Sequence, residues 1–251
     1  MSKRVADEQT SYCGPKRLKL AKRDHTEQTR DFFDAAAGGW TARYDRDASI
    51  AARKARFLAA VQARLPAPAN ILDFGCGSGD ITLDLSQAGY RMTGFDLSEA
   101  MLAAAHRADT EGSVQWVARA DSAPGASFPF QDAAFDAVVA SSVLEYVPDL
   151  EATLAQFARI LRPGGWLYAT VPDMRDPIRK REAWLRLVAS IPGIGALLNR
   201  SRWREGGAYL RISNNRMRPE LWREHLHSVG FAPEALSVTI EPLLLLTARK
   251  R

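Results

Sequence analysis

Ile71-Leu72-Asp73-Phe74-Gly75-Cys76-Gly77-Ser78-Gly79 is the stretch on which the fold turns. Its apolar start predicts a buried strand, and its alternate glycines predict a tight turn. Residues 80–88 then carry Ile81, Leu83 and Leu85 as a helix. The next run, Arg91-Met92-Thr93-Gly94-Phe95, predicts a second strand ending at Asp96. Glycine at a strand-to-helix turn leaves backbone N–H groups open to a ligand, because a Cβ would stand in its way. A carboxylate at the end of the next strand can accept both ribose hydroxyls of a nucleoside, in the crevice at the carboxyl ends of parallel strands. The spacing argues against a dinucleotide. The third glycine of G-x-G-x-x-G would stand at Asp80, and Asp73 places a carboxylate near the turn, which suits a cation better than a pyrophosphate.

The same rhythm continues outward. Ser98 is an N-cap for a helix through Met101, Leu102 and Ala105. Val114–Val117 and Phe135–Ala140 predict further strands, Leu150–Leu161 an amphipathic helix stopped by Arg162-Pro163-Gly164-Gly165, and Trp166–Val171 a fifth strand. A helix is expected over Pro219–Val229, followed by strands Phe231–Ile240 and Leu243–Arg249 as an antiparallel pair. Upstream, residues 31–65 have apolar positions at helical spacing, broken by Gly38-Gly39 and ended by Pro66-Ala67-Pro68. The expected fold is α/β: a doubly wound, mostly parallel seven-stranded sheet with N-terminal helices and an insertion late in the chain.

These motifs resemble those of class I S-adenosylmethionine-dependent methyltransferases, over roughly residues 40–171. Ile71–Gly79 matches the first motif of that family, Asp96 in Gly94-Phe95-Asp96-Leu97-Ser98 its ribose-binding acid, and Asp121-Ser122 its adenine-side acid. Phe135–Val147, containing Ser141, Glu145 and Tyr146, matches the fourth motif, and Leu161–Trp166 the fifth. The resemblance implies S-adenosylmethionine as cofactor, with S-adenosylhomocysteine (SAH) as product. Its binding residues would be Tyr44, Asp73, Gly75, Cys76, Gly77, Gly79, Asp96, Leu97, Met101, Asp121, Ser122 and Ser141. Some of these have simpler readings: Asp73 as an organiser of the glycine turn, Asp121 as a turn residue, Tyr44 as a packing residue, and Cys76 as a small side chain that fits. Many relatives carry a histidine after the glutamate that follows the fourth strand; here the pair is Glu145-Tyr146, the candidate catalytic residues. That departure argues against a histidine base and a metal-assisted mechanism. No cysteine–histidine cluster offers a zinc site either.

With 251 residues, 46% hydrophobic and 25% charged, the chain is expected to be one large globular domain. No apolar run reaches the roughly 18 residues of a membrane span, no apolar signal core follows the N-terminal charges, and Cys13 and Cys76 form no disulfide framework. A cytoplasmic protein fits. The net charge of +5 hides a segregation: residues 1–30 carry +4, 31–173 carry −7, and 174–223 carry +8. Residues 1–30 are expected to be a flexible basic arm, 31–68 a helical lid, and 173–217 an inserted substrate cap, basic and apolar at once. That cap suits an anionic or lipid-like small molecule, with peripheral membrane association as a further expectation. No recognisable RNA-binding module accompanies the basic segments, so nucleic acid is not the expected partner. The leading expectation is small-molecule O-methylation; the alternatives are an RNA or protein methyltransferase, or a cofactor-binding protein without catalysis.

Overall fold

The computed structural model describes residues 24–44, 48–119, 127–189, 191, 204–234, 238–240 and 242–251. Two helices lead, α1 (His25–Tyr44) and α2 (Ala48–Gln62). Then β1 (Asn70–Phe74), α3 (Asp80–Gln87), β2 (Arg91–Asp96), α4 (Glu99–Ala108), β3 (Gln115–Ala118) and β4 (Phe135–Ser141) alternate. A 3₁₀ turn (Leu144–Tyr146), α5 (Leu150–Ile160) and β5 (Leu161–Pro172) follow. The remaining elements are α6 (Pro177–Ala189), α7 (Arg204–Ile212), α8 (Pro219–Ser228), β6 (Phe231–Pro233), β7 (Val238–Ile240) and β8 (Leu243–Lys250).

The strand order is β3-β2-β1-β4-β5-β8-β6, parallel from β3 to β5 and antiparallel around β8. β7 lies on the same outer edge of β8 as β6, so seven positions carry eight strands. The order reverses between β1 and β4, which opens a crevice at their carboxyl ends. Successive strand residues point to opposite faces, and the core follows that period. Leu72, Val138 and Leu167 join the cluster with Phe157 and Trp222, whereas Ile71, Val139 and Tyr168 join the one with Phe57 and Leu85.

Three expectations need correction. The first helix begins at His25, inside the stretch expected to be a flexible arm, and runs through Gly38-Gly39 without breaking. Each glycine costs a helix about 1 kcal/mol relative to alanine, and docking on both sides of the crevice outweighs that. Asp34 Oδ1 accepts the Ser98 hydroxyl at 2.5 Å at the start of α4, and His25 Nε2 donates to the Tyr146 carbonyl at 2.9 Å. β5 starts at Leu161, not Trp166, because a bulge between Phe135 and Ala137 absorbs the Pro-Gly-Gly segment within the strand. Lastly, Phe231–Ile240 is not one strand: β6 and β7 pair with opposite ends of β8.

Candidate active site

A cavity of about 380 Å³ opens at the carboxyl ends of β1, β2 and β4. The β1–α3 turn forms its floor, one stripe of α1 (Thr26, Arg30, Phe33, Trp40) lines another wall, and Arg179 of α6 and Tyr209 of α7 face it from the inserted segment.

One end is acidic. Gly77 has φ +55°, and a Cβ there would meet no atom within 4 Å, so the missing side chain leaves open space beside the cavity. Asp96 is pinned by two backbone donors, Gly77 N–H to Oδ2 and Ser98 N–H to Oδ1, both at 2.8 Å. Each oxygen keeps a lone pair for a ligand. Burial raises the Asp96 pKa, and those N–H groups oppose the rise. Asp73 is 2% exposed and accepts the Thr82 hydroxyl at 2.6 Å. Burial pushes its carboxyl up to about 7, with Asp96 and Asp80 pushing the same way and Thr82 opposing. Burial also pushes the Cys76 thiol well up, leaving it un-ionised and poorly suited to act as a nucleophile. Leu97 and Met101 line the same end.

The third glycine behaves differently from its expectation. Gly79 is not on the cavity wall; its φ is +85°, and a Cβ there would fall 2.6 Å from the Trp116 ring. Glycine is required at that position by packing. Asp121 and Ser122 lie outside the described residues, as does the side chain of Tyr44.

The opposite end is built around the segment after β4. Ser141, Glu145 and Tyr146 all line the cavity. Glu145, 2% exposed, accepts the Ser213 hydroxyl at 2.5 Å and lies 3.9 Å from Arg216 Nη2. Tyr209 approaches it at 3.5 Å, while Arg179 Nη1 donates to the Tyr209 hydroxyl at 2.6 Å. Glu182 ties Arg179 (3.0 Å) to Arg216 (2.7 Å). The Tyr146 ring sits between Phe33 and Tyr209, with centroids at 5.2 and 6.2 Å, and burial pushes its phenol well above the ordinary range.

Sequence reasoning did not single out Thr26, Arg53 or Tyr209 among these. The α1 stripe was readable in principle, since Thr26, Arg30, Phe33 and Trp40 share one helical face. Tyr209 carries no such signal, lying in a segment that interrupts the strand–helix rhythm. The inserted segment also exposes apolar side chains: Ile178 at 57%, Trp184 at 62%, Leu187 at 68% and Ile191 at 49%.

Residues 72–169 match a methyltransferase domain family. The match runs from within β1 to within β5. The chain is 38% identical over 109 residues to a ubiquinone biosynthesis O-methyltransferase of Xanthomonas oryzae pv. oryzae, covering 43% of this chain and 45% of that protein. A trans-aconitate 2-methyltransferase of Delftia acidovorans is 34% identical over 133 residues, covering 51% and 47%. The chain therefore spans under half the length of these curated relatives. Among solved structures, a magnesium protoporphyrin IX methyltransferase of Synechocystis with bound SAH has a TM-score of 0.64 at 19% identity, covering 91% of this chain and all of that one. The cyclase SpnF has a TM-score of 0.65 at 18% identity, covering 90% and 96%. Both likenesses concern the fold of the methyltransferase domain. The matched segment contains the acidic end of the cavity and the turn after β4, whereas α1, α2, α6 and α7 lie outside it.

Proposed function

We propose that this methyltransferase domain binds S-adenosylmethionine and directs its methyl group to an oxygen of an anionic or amphiphilic small molecule. The observation that carries the reading is one cavity that joins three carboxylates at the glycine turn to guanidinia from the helices outside the matched segment. Asp73, Asp80 and Asp96 surround the glycine turn, and Arg53 of α2 and Arg179 of α6 also line the cavity. The acidic end fits the cofactor: Gly77 leaves room for close backbone approach, the free lone pairs of Asp96 suit ribose hydroxyls, and Asp73 suits a cationic tail. Gly75, Cys76, Leu97 and Met101 complete its walls, and Ser141 borders it from the end of β4. Tyr44, Asp121 and Ser122 are assigned to the cofactor on sequence alone, and Gly79 serves it by holding the turn against Trp116.

When bound, S-adenosylmethionine supplies a methyl group already activated by its positive sulfur. The chain's task is then to orient the acceptor and exclude water, and such positioning contributes about 7–11 kcal/mol to lowering a barrier. Phe33, Trp40 and Tyr146 supply the dry wall. Tyr146 keeps its proton and orients an acceptor by donating a hydrogen bond. Glu145 holds Ser213 and Arg216 in place beside it.

Asp73 makes binding pH-dependent. Below pH 7 the carboxyl is neutral and offers less to a cationic amino group, so affinity for SAH should fall by up to about tenfold between pH 8 and 6. Calorimetric titration at both pH values checks this; Asp73→Asn should bind weakly at both, and an unchanged slope in that variant would count against the assignment.

The direct test is incubation with methyl-labelled S-adenosylmethionine and fractionated cell extract. Label is expected in small molecules. Recovery in an aqueous acid fraction supports an anionic acceptor. Recovery in an organic extract, with sedimentation of the protein on anionic vesicles at low salt, supports a lipid-like one engaged through the exposed Trp184–Leu187 face. Label in RNA or protein would replace the proposal. Binding without any transfer would favour a silent or differently catalytic fold member, since this fold also serves a cyclase.

A further inference from the structure

We infer that Arg179 and Thr26, assisted by Arg53, form a carboxylate-binding subsite in the acceptor half of the cavity, and that the acceptor is an apolar molecule bearing a carboxylate. Calling the ligand an acceptor rests on the methyltransferase reading; the subsite itself rests on its own geometry.

Buried polar atoms without a partner are rare in folded proteins. Three of them belong to residues on this cavity wall: Arg179 Nε, Thr26 Oγ1 and Arg53 Nε. Arg179 is 7% exposed and Thr26 2%. A guanidinium N–H only donates and a threonine hydroxyl can donate, so together they call for a ligand atom that accepts. Arg179 is also pre-set. Its Nη1 is occupied by Tyr209 and Glu182, which fixes the edge carrying Nε.

The three groups come from separate helices yet are tied to one segment. Arg53 Nη1 donates to Ser142 Oγ at 3.3 Å. His25, adjacent to Thr26, donates to the Tyr146 carbonyl. Arg179 reaches Glu145 through Tyr209. The three helices that carry them are thus fastened to residues 142–146, beside the end of β4.

Charge narrows the ligand further. In the described cluster, Arg179 and Arg216 pair with the carboxylates of Glu182 and Glu145, and Arg186 donates to the Ser213 carbonyl beside them. Burial keeps the phenols of Tyr146 and Tyr209 protonated, and with Arg53, whose printed partner is the neutral Ser142 hydroxyl, guanidinia outnumber carboxylates here. That excess suits an anionic group, and the planar fork of a guanidinium suits a carboxylate. Phe33, Trp40 and Leu243 on the same cavity wall suit an apolar body.

The test titrates the full chain, with and without SAH, with two pairs of probes: benzoate against benzamide, and octanoate against octanamide. Each pair keeps the body and removes the charge. Charge-assisted hydrogen bonds predict that the acids bind about 10–100-fold tighter than their amides. Arg179→Met should shrink that gap below about threefold. Thr26→Val, which removes only an unpartnered hydroxyl, should weaken the acids about fivefold, leave the amides unchanged and fold normally. Acids no tighter than amides on the wild type would overturn the subsite, as would an undiminished gap in Thr26→Val and a folded Arg179→Met. If Arg179→Met does not fold, Thr26→Val decides alone. Failure of the wild type to bind SAH would instead sink the methyltransferase reading, while the acid–amide comparison without SAH still judges the subsite.

Discussion

Asp96→Ala is expected to weaken SAH binding by at least about 100-fold. The carboxylate sits at the end of β2 on the cavity wall, with each oxygen accepting a backbone N–H. Two hydrogen bonds from ribose hydroxyls to a charged acceptor contribute about 1.5–3 kcal/mol each. Their joint loss corresponds to roughly two to four orders of magnitude in affinity. The substitution also frees the Gly77 N–H, so the glycine turn loses its anchor as the ligand loses its partner. Asp96→Asn keeps one carbonyl acceptor and should fall between wild type and alanine. Calorimetry checks the series, with circular dichroism to confirm that each variant is folded. Binding of SAH to Asp96→Ala within threefold of wild type would remove Asp96 from the site.

The second large effect concerns stability. Glu145→Ala should destabilise the fold by about 3–5 kcal/mol, because it strips a buried carboxylate from guanidinia that remain buried. Arg216 is the nearest of these at 3.9 Å, and the Ser213 hydroxyl loses its acceptor as well. For a domain of this size the melting temperature should drop by about 10 °C. Glu145→Gln keeps an oxygen for Ser213 and should lose about half as much. The contrast separates two roles. A purely catalytic glutamate would give a glutamine variant of normal stability and no activity; a clamp on the α6–α7 segment gives a less stable protein first. A melting temperature within 2 °C of wild type for Glu145→Ala would show that the cluster does not depend on it.

The acidic end of the cavity was legible because it is nearly contiguous. One strand, one turn and the end of the next strand span Ile71 to Asp96, and their chemistry follows from glycine conformation and a single carboxylate. The opposite end was not, because its residues come from Thr26, Arg53, Arg179 and Tyr209, separated by up to 183 positions and gathered only by packing. Glu145 illustrates the boundary. Its place after β4 was readable, but its partner Ser213 lies 68 residues away, so its burial in an ion cluster was not. Local rules also failed where tertiary contacts prevailed. Gly38-Gly39 reads as a helix break, yet Asp34 and His25 fasten α1 on either side of the crevice. Gly79 reads as a ligand contact, yet its neighbour is the Trp116 ring.

The helix that spans the crevice has a practical consequence. A shortened chain cut to begin at the first strand would keep Asp73 and Asp96 while losing the wall that Thr26, Arg30, Phe33 and Trp40 give the cavity. Water would then reach the point of reaction, and binding assays on such a fragment could succeed where turnover assays fail. Grafting a new preference onto this scaffold is accordingly a matter of exchanging α1, α2, α6 and α7 together, with the sheet left as a shared chassis.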